Sequence, residues 1–280
     1  MTAMQTMTDL TARSSGLKVS IVMSAYNEEE RITQAIWEIL LAEYPCEMEL
    51  IVVDDGSTDD TAKLAEQVSD PRLTVHRCAA NGGKGAAFLT GARLATGTHI
   101  LPFDADLEYS ADDIQRLIEP VLKRRYDVVY GARIFGLNTV YQSYLYATGN
   151  RVLTRFANVL FNASLSDMHT CLKLVSADLF RTLPLRETGF GLDTELTATL
   201  LRLGIRPFEV PVSYYSRSHA EGKKISWRDG LECMAILLRV RLRSRKQLHV
   251  RPDNNTLVLL GASAEPSLPG PPEVAERLTA

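Results

Sequence analysis

Three carboxylates close a short apolar run in Leu101-Pro102-Phe103-Asp104-Ala105-Asp106-Leu107-Glu108-Tyr109. His99 to Phe103 reads as a buried strand. Asp104, Asp106 and Glu108 then fall just past its C-terminal end, where an open α/β sheet keeps its ligand crevice. Carboxylates this close repel one another unless a cation sits among them. Mg²⁺ and Mn²⁺ prefer oxygen ligands and are commonly held by one or two carboxylates plus substrate phosphates. The chemistry that follows is metal-bridged phosphate binding. The same residues also fit a solvated acidic loop that caps the next helix, with Ser110 and Asp113 spaced as a capping box. Asp-x-Asp alone does not choose between the two.

The elements that must position these groups alternate. Leu17 to Ser24 is a β-branched, apolar run that leads into Ala25-Tyr26-Asn27-Glu28, then into helical spacing of Ile32, Ala35, Ile36, Ile39 and Leu40. Met48 to Val53 is a second strand ending in Asp54-Asp55-Gly56-Ser57-Thr58-Asp59, whose Gly and Ser/Thr supply a turn and a helix start. Leu73 to His76 is a third, followed by Asn81-Gly82-Gly83-Lys84-Gly85 and a helix through Ala95. The carboxylate-bearing strand is fourth, and Asp127 to Tyr130 is a fifth that leads into Gly131-Ala132-Arg133. Strands alternating with helices across short turns predict a largely parallel, helix-covered sheet. Polar residues gather after four of the strands, which points to a binding crevice. The first turn lacks the glycines of a dinucleotide site. Gly82-Gly83-Lys84-Gly85 does not complete a Gly-x-x-x-x-Gly-Lys-Ser/Thr phosphate loop, and reads as a flexible turn carrying one cation.

In the second half, Tyr141 to Asn162 has helical spacing with Arg151 and Arg155 four apart on one face, either a solvated stripe or an approach to an anion. Ser166 to Cys171 breaks that pattern before a strand at Leu172 to Val175. Leu192 to Leu203 reads as a helix, and the helix dipole accounts for Asp193 and Glu195 in its first turn. Pro207 to Tyr215 is strand-like and feeds a loop with Arg217, Lys223 and Lys224 around Gly222, the composition of a phosphate clamp. From Trp227 a helix sets Leu231, Met234, Ala235, Leu238 and Leu242 against a basic end, which suits either an anionic membrane surface or core packing.

With 280 residues the chain can bury a substantial core. A net charge of -3 gives no global reason to expect nucleic acid. Cys46, Cys78, Cys171 and Cys233 have no paired spacing, which argues against a disulfide framework or a thiolate zinc site and fits a reducing cytoplasm. Residues 1–16 read as a floppy leader and not a secretory signal. Residues 249–280, rich in Pro, Gly and Ala, read as a disordered tail. No apolar run approaches the roughly 18 to 20 residues that span a bilayer, so any membrane is met from one side.

Taken together, these residues resemble the GT-A glycosyltransferases of family 2, and within them the dolichol-phosphate mannosyltransferase or polyprenyl-phosphate hexosyltransferase branch. The likeness covers about Lys18 to Lys246. It rests on Ser24-Ala25-Tyr26-Asn27-Glu28-Glu29, Val52 to Asp59, Asn81 to Gly85, Asp104-Ala105-Asp106, Gly131-Ala132-Arg133, Asp167 to Cys171 and Glu209 to Tyr215, in that order. It implies a single α/β domain over 17–248 with the GT-A, nucleotide-diphospho-sugar transferase fold, a mostly parallel central sheet covered by helices. It also implies a nucleotide-sugar donor, GDP-mannose or UDP-glucose. Ala25, Tyr26, Glu28 and Asp54 fall where the family holds base and ribose, with Ala25 where many relatives have Pro, and Lys84 joins the donor set. Asp104, Ala105 and Asp106 match the metal and sugar-diphosphate motif, with Mg²⁺ or Mn²⁺ as cofactor and Glu108 in a third ligand position. Arg133, Arg217 and Lys223 would face phosphates of donor or acceptor, with Asp167 on the acceptor side. Many relatives carry C-terminal membrane helices, and no such run follows here. The expectation is a cytoplasmic protein that meets a membrane surface or a membrane-protein partner.

The reading is therefore a metal-dependent hexosyltransferase that moves mannose or glucose, with inversion, to a polyprenyl phosphate. Asp104, Asp106, Arg217 and Lys223 carry the chemistry. A lipid phosphate is already anionic and needs little general-base help. A transferase acting on a carbohydrate or small-molecule hydroxyl would need a carboxylate base, with Asp167, Asp193 and Glu195 as candidates. A non-catalytic nucleotide-sugar binder is the third possibility.

Overall fold

Strands β1 (Lys18–Ala25) and β2 (Glu47–Asp54) are apolar at consecutive positions because both of their faces are covered. Val19, Ile21 and Met23 of β1, with Leu50 and Val52 of β2, enter one core, while Val22, Ile51 and Val53 enter the core on the opposite face. The structure, a computed structural model, describes residues 16–124, 126–134, 139–141, 143–216 and 227–244. Almost all of the leader, the whole tail, and the predicted phosphate cations Arg217 and Lys223 lie outside the described residues.

Helices α1 (Ile32–Leu41) and α2 (Thr61–Glu66) cover the first face, together with α4 (Asp113–Arg124). In α1 the buried residues are Ile32, Ala35, Ile36, Ile39 and Leu40, the i, i+3, i+4, i+7, i+8 stripe that the sequence predicts. The second face is covered by α3 (Lys84–Leu94), α6 (Ala177–Thr182) and α7 (Gly191–Leu203). A third core joins α7 to α5 (Tyr144–Phe161) and α8 (Trp227–Leu242) through Ala157, Phe161, Leu201, Ile236 and Leu237. Packed on both sides, α7 is buried at every position from Gly191 to Leu201 except Asp193.

The remaining strands are β3 (Leu73–Arg77), β4 (His99–Asp104), β5 (Val128–Ala132), β6 (Thr139–Val140), β7 (Lys173–Ser176), β8 (Phe208–Pro211) and β9 (Tyr214–Tyr215). The main sheet has the order β3-β2-β1-β4-β7-β5-β8. Only β7 runs against its neighbours. The order in which strands are added reverses at β1, with β2 on one side and β4 on the other, and the crevice beyond their C-terminal ends is where such sheets bind ligands. The register levels the predicted residues on that rim: Ala25 is opposite Asp54, and Ser24 is opposite Asp104.

Two predicted elements differ. Pro207 to Tyr215 is not one strand: β8 pairs with β5, whereas β9 leaves to pair with β6 in a separate two-stranded sheet. Val212 N–H makes the last bond to β5, to the Ala132 carbonyl at 3.2 Å, and Ser213 N–H then turns away to donate to Asp113 Oδ2 at 2.6 Å. That bond also removes the capping box offered as the alternative reading of the acidic loop, because Asp113 reaches across to the β8–β9 turn while Ser110 Oγ accepts from Asp112 N–H at 3.3 Å.

Candidate active site

The turn after β2 holds the turn after β1. Ser57 Oγ accepts from Asn27 N–H at 2.9 Å, Thr61 Oγ1 accepts from Glu28 N–H at 2.8 Å, and Asn27 Oδ1 accepts from Thr58 N–H at 2.9 Å. Ala25 is buried, and Tyr26 and Glu28 are half-buried at this edge. Asp54, fully enclosed, accepts from Ser57 N–H at 3.2 Å, so its carboxylate shapes the turn that the predicted nucleotide pocket needs.

Its neighbour Asp55 has a role that the sequence reading missed. Oδ1 accepts from Gly82 N–H at 2.9 Å and Oδ2 accepts from Gly83 N–H at 2.8 Å. The glycine turn is thus pinned rather than flexible, and it delivers Lys84 to the rim. Lys84 Nζ lies 2.8 Å from Asp104 Oδ2, the last residue of β4. Burial alone would push the Lys84 ammonium down, but Asp104, with Cys171 and Asp193, overrides it and holds the group well above the usual lysine range. The lysine is therefore a fixed positive charge at neutral pH. Beneath this pair lies a cavity of about 20 Å³ that Lys84, Gly85, Asp104, Gly189 and Asp193 help to line, room for about one water.

Past β4, Ala105 is buried and Asp106 Oδ1 accepts from Glu108 N–H at 3.1 Å. Glu108 turns inward, where Tyr214 donates its hydroxyl to Oε2 at 2.6 Å. Among the described residues no group of three or more His, Cys, Asp or Glu side chains is disposed to hold a metal. Asp104 and Asp106 still supply hard carboxylate oxygens at a rim bearing Lys84, and a two-carboxylate set completed by substrate phosphate oxygens suits Mg²⁺ or Mn²⁺. The chemistry of these oxygens fits such an ion.

Just past the end of β5, Arg133 makes a two-point ion pair with Asp167, Nε to Oδ2 at 2.5 Å and Nη2 to Oδ1 at 2.8 Å. Its guanidinium carbon lies 4.8 Å from the centre of the Tyr214 ring. Asp167 is fully enclosed and also accepts from Asn150 Nδ2 at 2.9 Å. Burial would raise its pKa, but Arg133 and these hydrogen bonds lower it to about 2. Asn150 Oδ1 meets His169 Nδ1 at 2.8 Å, and His169 Nε2 lies 3.2 Å from Thr194 Oγ1. Burial, aided by Lys173, lowers the His169 pKa to about 4, so the ring is neutral at pH 7. Lys173, wholly buried, donates to Asp193 through both Oδ1 at 3.1 Å and the backbone carbonyl at 3.0 Å. Lys173, Asn150 and His169 were not among the predicted site residues. A lysine inside the otherwise apolar run Leu172 to Val175 was the one available signal.

Residues 20–183, more than half of the chain, match the family described as Glycosyl transferase family 2. The chain belongs to that family. As a family 2 glycosyltransferase it is 30% identical over 207 residues to "Glycosyltransferase AglJ" of Haloferax volcanii, covering 71% of this chain and 63% of that protein. It is 26% identical over 219 residues to "Undecaprenyl-phosphate mannosyltransferase" of Micrococcus luteus, covering 74% of this chain and 87% of that protein. The chain spans less than two thirds of the length of AglJ. Among solved structures, glucosyl-3-phosphoglycerate synthase of Mycobacterium tuberculosis, in complex with Mn²⁺, UDP-glucose and glycerol 3-phosphate, superposes with a TM-score of 0.62 at 23% identity over 82% of each chain. The fold of this family 2 enzyme is GT-A: a mostly parallel seven-stranded sheet covered by helices on both faces.

Proposed function

We propose that this family 2 enzyme transfers a hexose from a nucleoside-diphosphate sugar to the phosphate of a polyprenyl lipid, with inversion at the anomeric carbon. One observation carries the reading: each of the three carboxylates named as a base toward a hydroxyl acceptor is already committed to a cation. Asp167 is held by Arg133, Asp193 by Lys173, and Glu195 by Arg243 at 3.0 Å. A general base works best with a pKa near the operating pH. Asp167 is driven well below that, and Asp193 is lowered too, because Lys173 foremost and Lys84 override the effect of its burial. A phosphate nucleophile is anionic without help.

Asp104 and Asp106 would hold the divalent ion, which supplies Lewis-acid stabilisation of the departing diphosphate when bound. Lys84, fixed against Asp104, adds a permanent positive charge where negative charge develops. Arg217 and Lys223 are the proposed cations for the acceptor phosphate. The named activity of the Micrococcus relative supports this acceptor class.

Contact with a membrane surface is part of the proposal. Leu145, Val152 and Val159, seven residues apart on α5, are exposed beside the exposed Arg151 and Arg155, and α8 adds exposed Leu238 and Leu242. Apolar side chains flanked by arginines suit an anionic lipid surface. Among the described residues no helix is long and apolar enough to cross a membrane.

A second reading, transfer to a hydroxyl of a small phosphorylated acceptor, is favoured by the fold's likeness to the phosphoglycerate-linked synthase. The deciding experiment incubates GDP-mannose or UDP-glucose with Mg²⁺ or Mn²⁺ and either a short polyprenyl phosphate or 3-phosphoglycerate, and identifies products by mass spectrometry. A hexosyl polyprenyl phosphate supports the proposal. Product only from 3-phosphoglycerate replaces it with the second reading. Metal-dependent nucleotide-sugar binding without any transfer identifies a binder.

A further inference from the structure

Glu195 is fully enclosed and stands apart from the rim, yet its carboxylate joins three separate pieces of chain. Oε2 accepts from Arg186 N–H at 2.6 Å and from Glu187 N–H at 2.8 Å. Oε1 accepts from Arg243 Nη2 at 3.0 Å, and Arg243 Nη1 reaches the Pro184 carbonyl at 3.4 Å. Arg243 immediately follows α8, and Arg239 within α8 pairs with Glu187. Two consecutive backbone N–H groups that would otherwise go unpaired are thereby satisfied by one buried anion, and one arginine balances its charge.

The segment so held runs on to Thr188 and Gly189 and lies flat on the glycine turn. Thr188 carbonyl accepts from Ala86 N–H at 2.8 Å. A Cβ on Gly83, whose φ is +93°, would come within 2.9 Å of Thr188 O, and one on Gly85 within 2.7 Å of Thr188 C. Only residues without a side chain let the two segments touch at both places. Lys84 sits between those glycines with its ammonium on Asp104. An unbroken series of contacts therefore leads from the end of α8, through Glu195 and residues 186–188, to the lysine that meets Asp104.

We infer that Glu195 and Arg243 are positioning residues for the donor site: they press residues 184–188 onto the glycine turn and so fix Lys84 relative to Asp104. Neither touches substrate. The inference rests on the reading above that the turn faces the donor diphosphate. Its mechanical part, however, has a readout that needs no ligand.

The test compares wild type with Arg243→Met, Glu195→Gln and the double variant. Hydrogen exchange of residues 83–88 is read by mass spectrometry, and UDP and GDP binding with Mn²⁺ by calorimetry. Glu195→Gln keeps an acceptor for the two backbone N–H groups but loses the charge that holds Arg243. Exchange at 83–88 is expected to quicken about tenfold in either single variant, with β1 and β2 unchanged. Nucleotide affinity should fall about tenfold, and the double variant should be no worse than the singles, the mark of one shared interaction. Should Arg243→Met not fold, Arg243→Lys tests the same link with a smaller expected change. Unchanged exchange at 83–88 in a folded variant overturns the inference, as does a uniform rise across sheet and helices, which would mark general destabilisation. Faster exchange at the turn, with a wild type that binds neither nucleotide, keeps the mechanical link and removes the donor reading instead.

Discussion

Lys173 ends 3.1 Å from Asp193 Oδ1 with no part of its own side chain exposed to solvent, so the carboxylate facing the crevice rests on a buried positive charge. Burial pushes the Lys173 pKa down, and Asp193 offsets part of that. Asp193→Asn removes the offset and leaves a buried amine with a neutral partner. The variant should lose stability by about 3 kcal/mol in denaturant titration. If the acceptor is a phosphate, kcat measured under conditions where the variant is folded should stay within about tenfold of wild type. A hydroxyl acceptor that uses Asp193 as base would instead cost about 10² to 10⁴.

The Arg133–Asp167 pair makes a second prediction. Arg133→Met strands an enclosed carboxylate, and Asp167→Asn strands an enclosed guanidinium. Each should cost about 3 to 5 kcal/mol, and the double replacement should cost less than the sum of the two. Thermal unfolding with wild type, both singles and the double checks this. Additive losses would show that the two side chains stabilise the fold independently.

Stability should fall in two steps on acidification. His169 has a folded pKa of about 4, below its ordinary value. The unfolded chain therefore binds the proton first, and stability is lost as pH drops below about 6.5 toward 4. Asp167 has a folded pKa of about 2, so its contribution is complete above about 4 and is lost as pH falls toward 2. Urea midpoints between pH 7 and 2 measure both, with His169→Gln shrinking the upper step, which buried His99 shares with a pKa also lowered to about 4, and Asp167→Asn shrinking the lower, which Glu49 shares with a pKa lowered to about 2. An NMR titration in which the His169 ring charges near pH 6.5 would contradict the first.

At the rim, Asp104→Asn should reduce turnover by about 10² to 10³, the usual cost of removing one charge-stabilising group, while leaving the melting temperature near wild type because its partner Lys84, unlike Lys173, keeps contact with water. Lys84→Met should weaken nucleotide binding in the same direction and should reduce the salt dependence of that binding. Full turnover in the Asp104→Asn, Asp106→Asn double variant would remove both from the catalytic set.

Tyr214→Phe deletes the hydroxyl that donates to the buried Glu108 carboxylate at 2.6 Å. The expected cost is about 1 to 3 kcal/mol in chemical denaturation. Metal affinity separates two roles of Glu108. Unchanged Mn²⁺ affinity in Tyr214→Phe and in Glu108→Gln fits a structural anchor, whereas a large loss in Glu108→Gln alone would make Glu108 a ligand.

Read alone, the sequence located the strands of the first half to within a residue or two, and with them the rim that carries Ala25, Asp54 and Asp104. That information is local: a run of apolar residues buried on both faces, then a break at Gly, Asn or Asp, reports the end of a strand wherever it stands in the chain. Glu195 shows the limit. Its place in a first helical turn had a sufficient local explanation in the helix dipole, while its partner Arg243 lies 48 residues away. Glu108 and Tyr214 are 106 apart, and Arg133 and Asp167 are 34 apart. Periodicity carries no record of which loops the sheet order brings together. Whether an acidic side chain is a free ligand, a base or half of a buried ion pair was therefore decided only when β7 inserted between β4 and β5 and α8 packed against α7. Those contacts remove water from particular charges, and a charge without water must take whatever counter-charge the fold has placed beside it.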